Sequence, residues 1–359
     1  MLSEALLQKR CIMVCGGGGV GKTTIAASLA IAAARVRPRV LVVTIDPAKR
    51  LLEAFGFTDA FLQEGGEPLA LSNEVLAELG LPATAQLSIA VLNPKYVLNQ
   101  VLEQTLSPVQ QEKLKNTLLY RELSQMIYGL QEYTAYEWVT RMIGNNEYDL
   151  IVLDTPPALH AKDFFNAPNK IRNLMESRVF QIFLPKKHSW FTSVLSFGWM
   201  EKLIGKKIFS ESRIFFETFI ALRDRILERC DLLSKFFKDE HVSVIAVGTP
   251  EVTAQIELEG LVQFLKERSI PIETLIVNQV DEKISPKSSR GRPLEVPAAV
   301  QEKWNLLLAH QEAKAERAHS IVEKLKNEYK GYQLLTVPMR YSQEGFDILK
   351  ENSLILTSP

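Results

Sequence analysis

The sequence predicts an α/β fold built on a doubly wound, mostly parallel sheet, and three observations predict it. One is the stretch Cys15-Gly16-Gly17-Gly18-Gly19-Val20-Gly21-Lys22-Thr23-Thr24, set between the apolar run Cys11-Ile12-Met13-Val14 and the alanine-rich segment Ile25 to Ala34. Another is a series of continuous apolar runs, each closed by a turn, a proline or a polar residue, as in strands buried on both faces. The third is that stretches with helical spacing separate those runs, and such alternation argues for parallel strands joined by crossovers.

Met1 to Lys9 reads as a short helical lead-in and Arg10 to Cys15 as the first strand. The glycine-rich stretch behind it has P-loop spacing, with Gly16 and Gly21 bracketing four residues ahead of Lys22 and Thr23. Glycines let the backbone curl until successive N–H groups point at phosphate oxygens, and the next helix adds the positive end of its dipole. Gly16, Gly17, Gly18, Gly19, Val20, Gly21, Lys22, Thr23 and Thr24 are therefore the expected nucleotide-binding residues. Lys22 would reach the β- and γ-phosphates and the Thr23 hydroxyl would hold Mg2+. A glycine-rich turn that binds nothing is the alternative, and the flanking strand and helix argue against it.

Pro38 and the run Arg39-Val40-Leu41-Val42-Val43-Thr44 make a second strand, ending at Asp46-Pro47-Ala48. Asp46 could position or deprotonate an attacking water, or cap the helix that Pro47 opens, and both can hold. Further strands are expected at Leu87 to Leu92, Leu150 to Leu153, Val242 to Gly248, Thr274 to Val277 and Leu334 to Val337. The run from Leu150 leads into Asp154-Thr155-Pro156-Pro157. An acid at this place in a P-loop enzyme orients the water shell of Mg2+, although a strand-terminal Asp can also cap the next turn. The P-loop, Asp46 and Asp154 all lie at carboxyl ends of expected strands, where doubly wound sheets bind their ligands.

Two intervals, Asn93 to Glu147 and Lys162 to Asp239, show no strand patterning. In the first, Leu98, Val101, Leu102, Leu106 and then Leu123, Met126, Ile127, Leu130 follow helical spacing. In the second, apolar bulk is concentrated: twelve of the thirty aromatic residues fall between Phe164 and Phe219, none of them tyrosine. We read residues 93–147 and 162–239 as a helical subdomain inserted in a single domain spanning 1–359. Val179 to Leu222 either forms its core or lines a groove for an apolar helix. With Lys186, Lys187, Lys202, Lys206 and Lys207 among its aromatics, it could also lie on a membrane surface. Trp190, Phe197, Trp199 and Phe215 mark the candidate groove. Pro297 to Tyr329 has the charge density of a long exposed helix, and Ser285 to Pro293 reads as a loop.

Composition narrows the partners. Lys plus Arg and Asp plus Glu both number 42, so no global field draws the chain to nucleic acid. With no leader and no apolar run long enough to span a bilayer in this sequence, a cytoplasmic location is expected. Cys11 and Cys15 share a strand face and are expected to be small buried hydrophobes, with Cys230 alone elsewhere.

These motifs, in this order, resemble those of the arsenite-pump and tail-anchored-protein-targeting ATPases. The resemblance rests on the P-loop, Asp46-Pro47-Ala48, Asp154-Thr155-Pro156-Pro157 with His160 six residues beyond the Asp, Thr249-Pro250-Glu251, Val277-Asn278-Gln279 and Val337-Pro338. It covers nearly the whole chain. The bacterial branch carries sequences similar to Gly129-Leu130-Gln131-Glu132-Tyr133-Thr134-Ala135 and Ser177-Arg178-Val179-Phe180. The resemblance implies a P-loop NTPase of the SIMIBI-like class with ATP and Mg2+ as cofactors. It also implies a homodimer, or a heterodimer with a paralogue, that closes over two ATP molecules. Asp46 in switch I would be the catalytic carboxylate beside the metal, and Asp154 to His160, including Thr155 and Pro156, would be switch II. Asn278 would contact the adenine, with Pro338 and Met339 in the loop that covers it. Clients would be apolar helices or a membrane partner.

Three departures from the family pattern bear on mechanism. Gly17 stands where the family usually carries a second lysine that reaches the partner's nucleotide, so hydrolysis would be slow unless another cation substitutes. Lys49, Arg50 and Lys95 are candidates, and equally could be solvated surface charges. The cysteine pair that binds zinc in eukaryotic targeting factors has no counterpart near Lys283 to Gly291, so no zinc is expected. Nor do three scattered cysteines reproduce the thiolate cluster of arsenite-binding ATPases. Beside an ATPase that moves its helical subdomain, the sequence leaves open a non-hydrolysing nucleotide-binding scaffold and the soluble ATPase subunit of an anion efflux system.

Overall fold

Cys11, Met13 and Cys15 face one side of strand β1 (Cys11–Gly16), Ile12 and Val14 face the other, and both sets are fully buried. A strand covered on both faces has this composition. The computed structural model describes residues 6, 8–45, 50–57, 67–117, 120, 130–156, 158–177, 206–283, 297–340 and 345–357. The other strands are β2 (Arg39–Thr44), β3 (Leu69–Ala70), β4 (Gln86–Val91), β5 (Leu150–Asp154), β6 (Val242–Gly248), β7 (Ile272–Val280) and β8 (Gln333–Pro338). They form one sheet in the order β3-β4-β2-β5-β1-β6-β7-β8. Every ladder is parallel except β3–β4 at one edge. The expected α/β class is the one observed. The edge pair was not foreseen, because a two-residue strand is too short to leave a periodic signal.

On the Ile12 side lie helices α1 (Lys22–Ala34), α2 (Arg50–Ala54) and α3 (Asn73–Glu78). Helix α1 is almost all Ala, Leu and Ile, buried nearly all round, as a helix wedged between a sheet and another helix must be. The opposite face carries α4 (Pro94–Glu103), α5 (Pro108–Lys115), α6 (Leu130–Gly144), α7 (Ala158–Met175), α8 (Lys206–Phe236) and α9 (Val252–Glu267), and the chain closes with α10 (Ala298–Glu328) and α11 (Gly345–Thr357).

The helices of the two interrupting intervals begin where their caps dictate. Asn93 accepts from the N–H groups of Lys95 and Tyr96, with Pro94 in the first turn of α4, and Ser107 forms a capping box with Gln110 at α5. Their apolar faces share one core with the Cys11 side of the sheet. Tyr136 of α6 meets Phe164 of α7 at a centroid distance of 4.1 Å and Phe237, just past α8, at 4.6 Å. Glu137 of α6, its side chain only 10% exposed, accepts from Nε and Nη2 of Arg229 on α8 at 2.9 and 2.6 Å. This forked geometry ties the two helices together. Of the aromatic-rich interval, Phe164 and Phe165 belong to this core. Trp190, Phe197 and Trp199 lie outside the described residues, as does the side chain of Phe215, and so do Met1 to Ala5 and Ser285 to Pro293.

Helix α10 is the long helix its charge density suggested, with an addition. Ala315, Ala318, Val322 and Leu325 pack inward, while Val300, Trp304, Leu306 and Leu307 in its N-terminal half are more than half exposed. Among the described residues no helix is long and apolar enough to cross a membrane.

Candidate nucleotide site

The glycine-rich loop leaves β1 in the middle of the sheet and enters α1, with β5 on one side of it and β6 on the other. Its shape depends on two glycines. A Cβ on Gly16 would run into the Val247 carbonyl of β6, so only glycine lets the loop leave the strand this close to its neighbour. Gly21 has φ 83°, in the left-handed region, and a Cβ there would strike the side-chain amide of Asn278. Gly21 offers no side-chain cap to α1, so the first-turn N–H groups face the concavity of the loop. Gly18 and Gly19 are exposed, Gly16, Gly17, Val20 and Lys22 are buried, and Thr23 and Thr24 are half-buried.

The loop is clamped from the far side of the sheet. Asn278 donates Nδ2 to the Val20 carbonyl at 2.9 Å, and Gln279 donates Nε2 to the Gly19 carbonyl at 3.4 Å. Gln279 has φ 57° at an irregularity in the β7–β8 pairing between Val277 and Val280. A non-glycine residue in the left-handed region at a bulge costs about 1–3 kcal/mol and is found mostly where a side chain must be re-aimed. Here it aims Gln279 at the loop. Gly21→Ala, which adds left-handed strain of about 1–2 kcal/mol to the collision with Asn278, is expected to weaken ATP binding at least about tenfold. Isothermal titration calorimetry on folded variant protein checks this, and wild-type affinity would show that the clamp does not shape the site.

On the β5 side, three oxygen-bearing side chains converge. Asp154, at the end of β5 and 1% exposed, accepts at Oδ2 from Thr23 Oγ1 at 2.8 Å and from Thr44 Oγ1 at 2.9 Å. Thr44 stands directly across from Asp154 in the β2–β5 ladder. Thr155 donates its hydroxyl to the Val14 carbonyl at 2.9 Å, and Pro156 is half-buried. Lys22, 8% exposed, donates Nζ to the Gly17 carbonyl at 2.6 Å, so its ammonium folds back over the loop.

Comparison with known proteins gives the family. A family model described as anion-transporting ATPase matches residues 9–344. The chain belongs to the anion-transporting ATPase family. It is accordingly an ATP-binding ATPase. Curated relatives include "ATPase get3" of Schizosaccharomyces japonicus, 27% identical over 285 residues that cover 77% of each chain. Another is "ATPase GET3" of Malassezia globosa, 27% identical over 294 residues, 81% of this chain and 78% of that one. A third is "ATPase ASNA1 homolog" of Entamoeba dispar, 26% identical over 281 residues, 75% and 76% respectively.

In this member of the family, Lys22, Thr23, Asp154 and Asn278 surround one loop. Asp46 and Lys49 lie outside the described residues. His160 falls in α7, but its side chain is likewise outside them. Arg50 and Lys95 are exposed in the first turns of α2 and α4. Gly17 faces α9, where a Cβ would meet the Glu257 carboxylate, so Glu257 lies over the place the resemblance gives to a second lysine. Pro338 ends β8, and Met339, whose N–H bonds the Val280 carbonyl at 2.9 Å, lines a cleft beside the loop.

Sequence reasoning missed Thr44, Gln279 and Glu257. A polar residue closing the apolar run Val40 to Val43 was the available signal for Thr44. Nothing local distinguishes Glu257 from the other charges of an amphipathic helix.

Proposed function

We propose that this ATPase binds Mg2+–ATP in the cradle of residues 16–24 and hydrolyses the β–γ phosphoanhydride in a closed dimer of like or paralogous chains. The observation that carries the reading is the Asp154 carboxylate shared by Thr23 and Thr44 beside the buried Lys22 ammonium. These residues also fit the metal the family implies. A hydroxyl and a carboxylate are hard oxygen donors, and Mg2+ is ordinarily held by one or two protein oxygens plus phosphates and waters rather than an all-protein cage. Among the described residues no cluster of three His, Cys, Asp or Glu side chains offers such a cage. Bound Mg2+ would neutralise charge on the β- and γ-phosphate oxygens.

The chain's own groups do the rest. Loop amides hold the phosphates, and Lys22 turns from the Gly17 carbonyl to their oxygens. Asp46 takes a proton from the water that attacks the γ-phosphorus, the bond to the bridging oxygen breaks, and ADP and phosphate leave. Asn278, Pro338 and Met339 border the base. With Gly17 supplying no cation, Arg50, Lys49 or Lys95 is the side chain available to cross to a partner's nucleotide.

The helical segments 93–147 and 162–239 would move as a subdomain with nucleotide state and receive apolar helices of membrane-protein clients in the cytoplasm. Support comes from the resemblance to targeting ATPases and from the shared core that joins those helices to β1 and β5. An anion-efflux role through soft-metalloid capture is disfavoured. Burial above all pushes the Cys11 and Cys15 thiols up to about 12, so neither supplies a thiolate at neutral pH.

Asp46→Asn tests the hydrolytic reading. Loss of a positioned general base typically costs about 100- to 10,000-fold, so the variant should bind ATP as wild type does while single-turnover hydrolysis falls by that order. Wild-type turnover in Asp46→Asn would remove Asp46 from catalysis. ATP persisting unhydrolysed for hours on wild-type protein with Mg2+ would favour a scaffold.

A further inference from the structure

A cleft of about 320 Å³ opens on the β7–β8 side of the P-loop. Gln279 joins the two, lining the cleft while its amide reaches the Gly19 carbonyl. Pro250, Val252, Ala318 and Met339 supply apolar walls, the surroundings in which a planar base stacks. Asp281 and Arg317 stand in the same cleft and have opposite hydrogen-bonding character. An ionised carboxylate only accepts and a guanidinium only donates. Asp281 is held in place, accepting from Gln311 Nε2 at 3.1 Å and lying 3.8 Å from Lys314 Nζ. Arg317, one turn beyond Lys314 on α10, lines the cleft with no ion pair or hydrogen bond among the described residues. A donor without a partner among the described residues and an anchored acceptor, lining one cleft, match an edge that offers one donor and one acceptor.

We propose that Asp281 and Arg317 read the Watson–Crick edge of the base and make this enzyme choose adenine over guanine. The adenine 6-amino group donates to the Asp281 carboxylate, and N1 accepts from the Arg317 guanidinium. Guanine in the same pose turns its O6 toward the carboxylate and its N1–H toward the guanidinium, so both contacts become acceptor against acceptor and donor against donor. This rests on the reading of residues 16–24 as the nucleotide site. A site built to hydrogen-bond its substrate rejects the mismatched analogue by up to about 10⁴–10⁵. Arg317 is exposed, and solvent would reduce this to about 100-fold.

The test is calorimetric titration of the full chain, with Mg2+, against ATP, GTP and purine riboside 5′-triphosphate, which lacks the 6-amino group. Wild type should favour ATP over GTP by about 100-fold and over the purine riboside by about tenfold. Asp281→Asn, whose carboxamide can turn an NH2 toward O6, should bring ATP and GTP within about tenfold of each other. Arg317→Met should relax the same ratio, and thermal melts confirm that both variants fold. Equal wild-type affinity for the three triphosphates overturns the proposal while leaving the P-loop reading intact, as does an ATP-to-GTP ratio unchanged in both variants. Failure of wild type to bind any of the three overturns both.

Discussion

Lys22→Ala should abolish ATP binding, with an affinity loss of at least about 100-fold, or about 2.7 kcal/mol. Lys22 is 8% exposed and its ammonium donates to the Gly17 carbonyl at 2.6 Å, so it is already largely desolvated over the loop that would hold the phosphates. Charge-assisted contacts made there are about twice as strong as neutral ones. Fold stability should change far less. Alanine is the best helix former at the start of α1, and losing one hydrogen bond to a carbonyl costs about 1 kcal/mol. Calorimetry against ATP and ADP, paired with urea denaturation, separates the two effects. Native affinity in a folded Lys22→Ala would remove the loop from nucleotide binding.

Asp154→Asn should lower the hydrolysis rate by about 100- to 1,000-fold, the range seen when one preorganised electrostatic group is removed, and should raise the Mg2+ concentration needed for half-maximal turnover. The substitution is informative because geometry and charge come apart. An asparagine carbonyl can still accept from Thr23 and Thr44, which now share Oδ2 at 2.8 and 2.9 Å, so the end of β5 should keep its shape. Asp154→Ala would instead leave two hydroxyls without their acceptor and cost about 1–3 kcal/mol of stability as well. Turnover measured across Mg2+ concentration gives the answer. An unchanged Mg2+ profile in Asp154→Asn would mean that this carboxylate serves the fold alone.

What could be read in advance was whatever a contiguous stretch of residues dictates. The strands β2 and β6 were placed to the residue, because a nearly all-apolar run has one stable home in a sheet covered on both faces. Strand β7 was read short, as Thr274 to Val277. Its extension through Asn278 and Gln279 to Val280 depends on an irregular pairing with β8 that polar residues do not announce. Cys11 and Cys15 were legible as core because alternate strand residues share a face. The exposed Val300, Trp304, Leu306 and Leu307 were hidden in a segment whose charge count dominated its appearance.

The sequence by itself determined the glycine-rich loop between β1 and α1, the parallel α/β class and the acid at the end of β5. Each is written in neighbouring residues, through the φ angles glycine permits and the unbroken apolar run a buried strand needs. Only the tertiary structure decided that Thr44 would share Asp154 with Thr23, that Asn278 and Gln279 would clamp Val20 and Gly19, and that Asp281 would stand in one cleft with Arg317. Those meetings depend on the lateral order of the strands. The crossover connections and the two-sided core set that order, and a local pattern, identical for every buried strand, carries no record of it.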